Sequence, residues 1–333
     1  MKAIVFDHIG APGDVLYLAD IPLRDIKDNE VLVRMVASSV IPGDFLFMQN
    51  MYPEPKKPVF PKQISGNHGS GIIEKTGKHV KIEPGSFVFF TYYNSWAEYA
   101  IVPAERLIAL PKDYPPLKAS QLVNLITAWD LIDCSGVKKG QWLVLTAGYS
   151  TVSLLAAQFA RRLGIKVISV VRRQQENHDY NAASADAIIN LSALTGPLTG
   201  ELRRITSNAG INGVIDNVGG PALVEMIKSA VYGSKIIING NMSLEKFALH
   251  NNDILFNGIE IRPYVYRYLL DPPKEADKAF LDKIISMSAE PDFTVKIGGT
   301  HKLDDYKNAV SGTLYEAEKG KHVFVFDHDL VEK

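Results

Sequence analysis

The segment LTAGYSTVS, residues 145–153, lies where an apolar run gives way to a stretch with helical spacing, and it holds a single glycine. Phosphate recognition at such a junction needs a tight turn, close approach of backbone to ligand, and amides left open at a helix start. Gly148 is suited to the turn. Tyr149, Ser150, Thr151 and Val152 then offer backbone N–H groups and hydroxyls where further glycines would be expected. The next apolar run, KVISVV, ends in Arg172 and Arg173 with no acid beside them. An acid there would bond a ribose 2′-hydroxyl, whereas a guanidinium fork suits a 2′-phosphate, so the pair favours NADP(H) over NAD(H). A solvated basic turn is the alternative reading. Two more loops follow apolar runs: DNVGG (216–220), with Asn217 and Val218, and INGNMS (238–243), with Gly240, Asn241 and Met242. Both fall at the carboxyl ends of expected strands, the rim where ligands bind in open parallel sheets.

These residues need a scaffold. From about Pro115 the sequence alternates between strand-like and helix-like stretches: LKASQLVNLITAWDLID, QWLVLTAG, a long apolar-faced helix, KVISVV, ADAIIN, GVIDNVGG, PALVEMIKSAV, KIIING and IEIRPYVY. That alternation predicts about six strands with interleaved helices in a doubly wound parallel sheet. In RPYVYRYLL, Tyr264, Tyr266 and Tyr268 alternate as on a strand and are expected to share one face. The first third consists of short β segments such as KAIVF, EVLVRMVASSV, SGIIEKTG and SFVFFTYY, punctuated by Pro and Gly. The final part mixes helix and strand and is expected to fold back on the first domain. The fold class is therefore α/β, with residues 1–114 and 268–333 forming a β-rich domain and residues 115–267 a Rossmann NADP-binding domain.

Composition narrows the function. Two domains are expected of 333 residues that are 46% hydrophobic, and 36 Lys plus Arg against 37 Asp plus Glu leave no basic footprint for nucleic acid or an anionic membrane. The single Cys134 excludes an intrachain disulfide and any multi-cysteine zinc site, so no metal and a cytoplasmic location are expected. The start MKAIVFDHIGAPG is charged and turn-rich, unlike an export signal, and no run of about 18 apolar residues occurs.

The domain order, together with EPGSFVFF, NLITAWDLID, AGYSTVS and DNVGG, resembles the medium-chain dehydrogenase/reductase superfamily. The resemblance implies a GroES-like catalytic domain beside a Rossmann domain, an active site in the cleft, and a homodimer made by edge-strand pairing. MQNMYPEPKKPVFPKQISGNHGSGIIEKTG is most similar to the zinc-independent 2-enoyl thioester reductase branch, in which a loop tyrosine precedes a glycine-asparagine-acid-glycine stretch. Here these are Tyr52 and GNHG at 66–69, and VVRR is similar to that branch's NADP turn. Three positions depart from the pattern: Ile41 replaces an asparagine, His68 an acid, and Ser153 the last loop glycine. What the resemblance implies is hydride transfer from NADPH to an activated C=C, in an α,β-unsaturated carbonyl or enoyl thioester. Tyr52 would hydrogen-bond or protonate the developing enolate, and Thr127 would face the nicotinamide. The competing readings are packing over a Pro-rich loop for Tyr52 and a helical core position for Thr127. For the whole protein they are an NADPH:quinone oxidoreductase or a non-catalytic NADPH-binding sensor.

Overall fold

The computed structural model of the chain describes residues 1–52, 56–91, 94–173 and 185–331. It divides into two compact units, Met1–Val123 with Arg267–Lys333, and Asn124–Tyr266. The second unit begins later than the change of texture near Pro115, within the helix Leu122–Ser135, and the expected single helix is broken into Pro116–Ala119 and Leu122–Ser135.

In the first unit, strands β1 (Lys2–Phe6), β2 (Tyr17–Asp20), β3 (Glu30–Ser39), β4 (Gln63–Ile64), β5 (His68–Thr76), β6 (Phe87–Thr91), β7 (Tyr99–Pro103) and β8 (Leu107–Ala109) come from the N-terminal part. The second unit contributes β9 (Trp142–Thr146), β10 (Lys166–Val171), β11 (Ala187–Asn190), β12 (Ile211–Asp216), β13 (Ala230–Ile238) and β14 (Glu260–Pro263). The chain then returns to the first unit with β15 (Ile297–His301) and β16 (Lys321–Val325). There β16 pairs antiparallel with β3, Val323 opposite Ser39, so the C-terminal part completes the N-terminal sheet. That sheet runs β15-β16-β3-β5-β6-β8, with β7 also on β3, beside a smaller sheet β2-β1-β4. Trp96 and Phe324, 5.2 Å apart edge to face, lie in a core that also takes Ile4, Phe6, Phe45, Phe47 and Met48.

The second unit carries one parallel sheet in the order β11-β10-β9-β12-β13-β14. Strands buried on both faces are expected to be mostly apolar, as WLVLT of β9 is here, and the order reverses between β9 and β12. Val144, Ile168, Val214 and Ile236 from four neighbouring strands form its core with Leu223, Met226 and Ile227 of the helix Pro221–Lys228. The helix Thr151–Arg162 starts at Ser150, whose side chain accepts from Ser153 N, and carries Arg161 and Arg162 in its last turn. It ends in a Schellman turn: Ile165 N bonds Ala160 O, Gly164 N bonds Arg161 O, and Gly164 takes φ +71°.

One expected strand is shorter than its pattern. β14 stops at Pro263, so Tyr264, Tyr266 and Tyr268 follow the sheet instead of sharing one of its faces; Tyr264 and Tyr266 belong to the second unit and Tyr268 to the first. Alternation of aromatic residues was a misleading signal because a proline ends this edge strand and a turn follows.

Candidate active site

The loop after β9 is built differently from its expected form. The left-handed residue is Ala147, at φ +48°, not Gly148. Gly148 is required for another reason: a Cβ there would sit 2.8 Å from Ser169 Cβ and 3.0 Å from Val171 Cγ1 on β10. The expected turn role of Gly148 is thus replaced by a close-packing role, and Ala147 takes the turn, a conformation alanine adopts rarely. Nothing in the local sequence marks Ala147 for it.

Ser153, in place of a packing glycine, is buried and fully engaged. Its hydroxyl donates to Thr146 O (2.9 Å) and accepts from Ser150 Oγ (3.1 Å) and Asn217 Nδ2 (3.1 Å). Asn217 reaches across from the end of β12, its amide also bonding Thr146 O at 3.1 Å and its backbone N–H bonding Thr146 Oγ1 at 2.7 Å. Thr146 donates that hydroxyl to Asp216 Oδ1 at 2.8 Å, and Asp216 caps the turn by accepting from Val218 N and Gly219 N. Burial raises the Asp216 carboxyl above its ordinary pKa, against the lowering effect of these donors. Asn239 Nδ2 completes the chain on Asn217 Oδ1 at 2.6 Å. The ends of β9, β12 and β13 are thereby tied into one network at the point where strand order reverses.

Of the expected cofactor residues, Ser150 and Asn217 take part in that network through their side chains. Thr151 and Val152 open the helix, and their amides precede the first intrahelical bond, Leu154 N to Ser150 O. Tyr149 is buried and Val218 half-buried. Gly240 lies against β12: a Cβ on it would meet Asn217 O at 2.6 Å, so only glycine lets these two loops touch. Asn241 and Met242 are exposed, with Met242 N directed at Asn217 O at 3.4 Å. Arg172 and Arg173 follow β10 directly, both exposed. Residues 174–184 lie outside the described residues. Sequence reasoning missed Thr146, Asp216 and Asn239, whose bonds span up to about seventy positions and leave no local pattern.

Thr127 sits half-buried on the helix Leu122–Ser135. Its side chain hydrogen-bonds the phenol of Tyr264, which donates to Asp130 Oδ2 at 3.2 Å. Burial, and then Asp130, push Tyr264 well above the ordinary tyrosine range, so it stays protonated.

In the first unit Tyr52 follows the helix Pro42–Met48, and a Cβ on Gly43 would lie 2.6 Å from its hydroxyl. The helix begins where Asp44 accepts from Ile41 N (2.9 Å), with Asn67 N and Nδ2 both on the other carboxylate oxygen (3.0 Å each). Burial pushes Asp44 up to about 6, although these donors and the charge of Lys56 pull it down. Lys56 Nζ lies 5.1 Å from the centre of the Tyr52 ring and 5.9 Å from that of Phe47, and burial lowers its pKa to about 8. Burial and then Asp44 raise the Tyr52 phenol above its usual range, which keeps it a donor. Residues 53–55 of the same loop are outside the described residues. Asp44, Asn67 and Lys56 escaped sequence reasoning; the acid three residues after Ile41, on a Pro-Gly helix start, was the available cue.

The two departures of the first unit are structural. Ile41 supplies the backbone N–H that Asp44 caps. His68 is buried and pushed down to about 3 by desolvation, hence neutral. Ser39 spends its hydrogen on Ser120 O (2.8 Å), so His68 Nε2–H is the donor in the 2.8 Å bond to Ser39 Oγ. Among the described residues no group of three or more His, Cys, Asp or Glu side chains is arranged to hold a metal, and no helix is long and apolar enough to cross a membrane.

A GroES-like β unit with a six-stranded parallel sheet in this order, its glycine-poor turn bound to the switch point, defines a two-domain protein of the dinucleotide-binding type. Residues 27–112 match the model of the alcohol dehydrogenase GroES-like domain and residues 151–284 that of the zinc-binding dehydrogenase domain, together well over half the chain. The chain belongs to the medium-chain dehydrogenase/reductase superfamily, on the branch of enoyl thioester reductases and quinone oxidoreductases. It is 27% identical over 271 residues to the mitochondrial enoyl-[acyl-carrier-protein] reductase of Xenopus tropicalis, covering 78% of this chain and 75% of the relative. Its fold is similar to that of Etr1p in complex with NADP and crotonyl-CoA (TM-score 0.84, 22% identity, 97% of this chain and 99% of the other). It is equally similar to the Escherichia coli quinone oxidoreductase complexed with NADPH (TM-score 0.84, 21% identity, 98% of this chain and 100% of the other).

Proposed function

We propose that this protein is a zinc-independent NADPH-dependent reductase of 2-enoyl thioesters or related α,β-unsaturated carbonyl compounds. One observation carries the cofactor part: the open amides of Thr151 and Val152 lie at the switch point of the parallel sheet, while Arg172 and Arg173 follow the adjacent strand β10. The residues fit NADP(H) on that ground. Thr151 and Val152 would hold the pyrophosphate, Arg172 and Arg173 the 2′-phosphate, and Asn217, Val218, Gly240, Asn241 and Met242 would line the nicotinamide half. When bound, NADPH supplies the hydride. The names of the curated relatives support an enoyl thioester as the acceptor.

The chain's own contribution is electrostatic. Hydride arriving at a β-carbon pushes charge onto the carbonyl oxygen, and a protonated Tyr52 is suited to stabilise that oxygen by hydrogen bonding and then to deliver a proton. Burial and the carboxyl of Asp44 keep the phenol neutral until a stronger base forms beside it. The exposed edge of β14, with Leu255, Phe256 and Val265 exposed nearby, supports a homodimer formed by edge pairing. The single Cys134 is compatible with a reducing compartment such as the cytoplasm.

Stopped-flow oxidation of NADPH and of NADH, with a 2-enoyl-CoA, a simple enone and an ortho-quinone, tests this reading. NADPH-specific reduction of the enoyl-CoA is expected, with Tyr52→Phe slowing it by about tenfold or more. Quinone reduction alone would transfer the assignment to a quinone oxidoreductase, and tight NADPH binding without turnover to a sensor.

A further inference from the structure

Gly43 is a glycine that its own backbone does not require. It is the second residue of the helix Pro42–Met48, its φ lies outside the left-handed region, and glycine is less favourable than alanine in a helix. What it provides is room. A Cβ built on it would lie 2.6 Å from the Tyr52 hydroxyl, with Ile41 Cδ1 next at 3.3 Å.

The end of the same helix brings the two residues together. Asn50 takes φ +57°, Asn50 N bonds Phe47 O at 3.0 Å and Met51 N bonds Leu46 O at 2.9 Å, a Schellman turn with asparagine as its left-handed residue. That reversal sends Tyr52 back along the helix until its hydroxyl meets the first turn. Both sides of the contact are held. Asp44, next in the chain and 0% exposed, accepts from Ile41 N and from both the backbone and the side-chain amide of Asn67, which fixes the helix start. Lys57 Nζ donates to Tyr52 O at 2.6 Å, which fixes the backbone of the tyrosine, and Lys56 Nζ lies over its ring. Among the described residues the Tyr52 hydroxyl has no hydrogen-bond partner, so its proton is left for an incoming oxygen. With the helix start clamped, a side chain at position 43 would displace the ring and its hydroxyl.

We propose that Gly43 is a positioning residue for the reduction: the space left by its missing side chain seats the Tyr52 hydroxyl and sets where the proton donor stands relative to the acceptor's oxygen. This rests on the reading of Tyr52 as the donor. A donor moved out of line by a methyl group loses most of its effect, because transition-state hydrogen bonds depend on placement within a fraction of an ångström.

The test follows NADPH oxidation by a 2-enoyl-CoA, both saturating, in the full-length wild type, Gly43→Ala, Tyr52→Phe and the double variant Gly43→Ala/Tyr52→Phe. Gly43→Ala is expected to lower kcat about tenfold or more, as Tyr52→Phe does, with the KM of the enoyl-CoA and the Kd of NADPH within about twofold of wild type. In the double variant the clashing oxygen is gone, so kcat should equal that of Tyr52→Phe and the melting temperature should be no lower. Gly43→Ala that does not fold, beside a double variant that does, would support the contact equally. A double variant that also fails to fold would make Gly43 a purely structural glycine and overturn the proposal. A second readout needs no turnover. With tyrosine isotopically labelled at Cζ, the NMR signal missing from Tyr52→Phe belongs to Tyr52 and should shift in Gly43→Ala. An unshifted signal, a wild-type kcat in Gly43→Ala, or losses that multiply in the double variant would each overturn the role of Gly43 alone. Tyr52→Phe at the wild-type rate would instead overturn Tyr52 as donor, and the catalytic purpose of its seat with it.

Discussion

Replacing Ser153 with glycine would restore the residue that the resemblance expects at the end of the phosphate loop, and the structure predicts that it damages the protein. Ser153 Oγ makes three hydrogen bonds, to Thr146 O, Ser150 Oγ and Asn217 Nδ2, at 2.9–3.1 Å in a site 1% exposed. Thr146 O and the Asn217 amide keep their bond to each other, so neither is stranded. The net loss is therefore set by ordinary bond values of about 1 kcal/mol each, partly recovered by relaxation. Glycine in the first turn of the helix adds about 0.5 kcal/mol beyond serine. The expected destabilisation is about 1–3 kcal/mol, with Ser153→Ala slightly milder because it retains helix propensity. In a unit of this size that corresponds to a fall in Tm of about 2–4 °C per kcal/mol. Thermal and urea unfolding of the three proteins, with NADPH titration, is the assay. NADPH affinity should fall as well, since Asn217 loses a tether between β9 and β12. A Ser153→Gly protein as stable as the wild type, or one that binds NADPH more tightly, would refute the view that the serine network substitutes for the glycine.

Two titrations in the first unit act with opposite sign. The folded Asp44 has its pKa near 6 against an ordinary 3.8, so between these values the folded protein holds a proton that the unfolded chain has released, and stability falls as pH rises. Asp44→Asn removes that term: from pH 4 to pH 7 the wild type should lose about 2 kcal/mol relative to the variant in urea unfolding, and a difference independent of pH would contradict it. The folded His68 is near 3 against an ordinary 6.5, so the unfolded chain binds the extra proton and stability rises with pH across that window. His68→Gln, which keeps a donor for Ser39, should accordingly flatten the acid side of the stability profile. At the cofactor site, Arg172→Ala/Arg173→Ala should weaken NADPH about ten- to hundredfold while leaving NADH nearly unchanged, the effect of losing charge-assisted bonds to one phosphate. Equal losses for both cofactors would remove the pair from 2′-phosphate recognition.

The division between what was legible in the sequence and what was not follows the range of the interactions. The central parallel strands were legible because a strand covered on both faces is mostly apolar, as WLVLT and KVISVV are. A helix start within LTAGYSTVS was legible from the change to helical spacing, and there Ser150 accepts from Ser153 N three residues on. The network that gives the loop its rigidity was not, since Thr146 meets Asp216 and Asn217 only once β9 and β12 lie side by side. The same holds for Tyr264 and Asp130, 134 positions apart, and for Asp44 and Asn67, 23 apart. Local pattern failed outright in two places. It assigned the turn to Gly148 when Ala147 makes it, because a glycine demanded by the neighbouring strand carries the same letter as one demanded by φ. It extended β14 through three tyrosines because alternation does not register that Pro263 closes the edge. Both errors concern residues whose constraint is not written in local alternation or in the glycine letter itself. A dinucleotide loop with one glycine is therefore intelligible only with its partners in place: the missing backbone freedom is replaced by side-chain bonds from strands that the loop's own sequence does not mention.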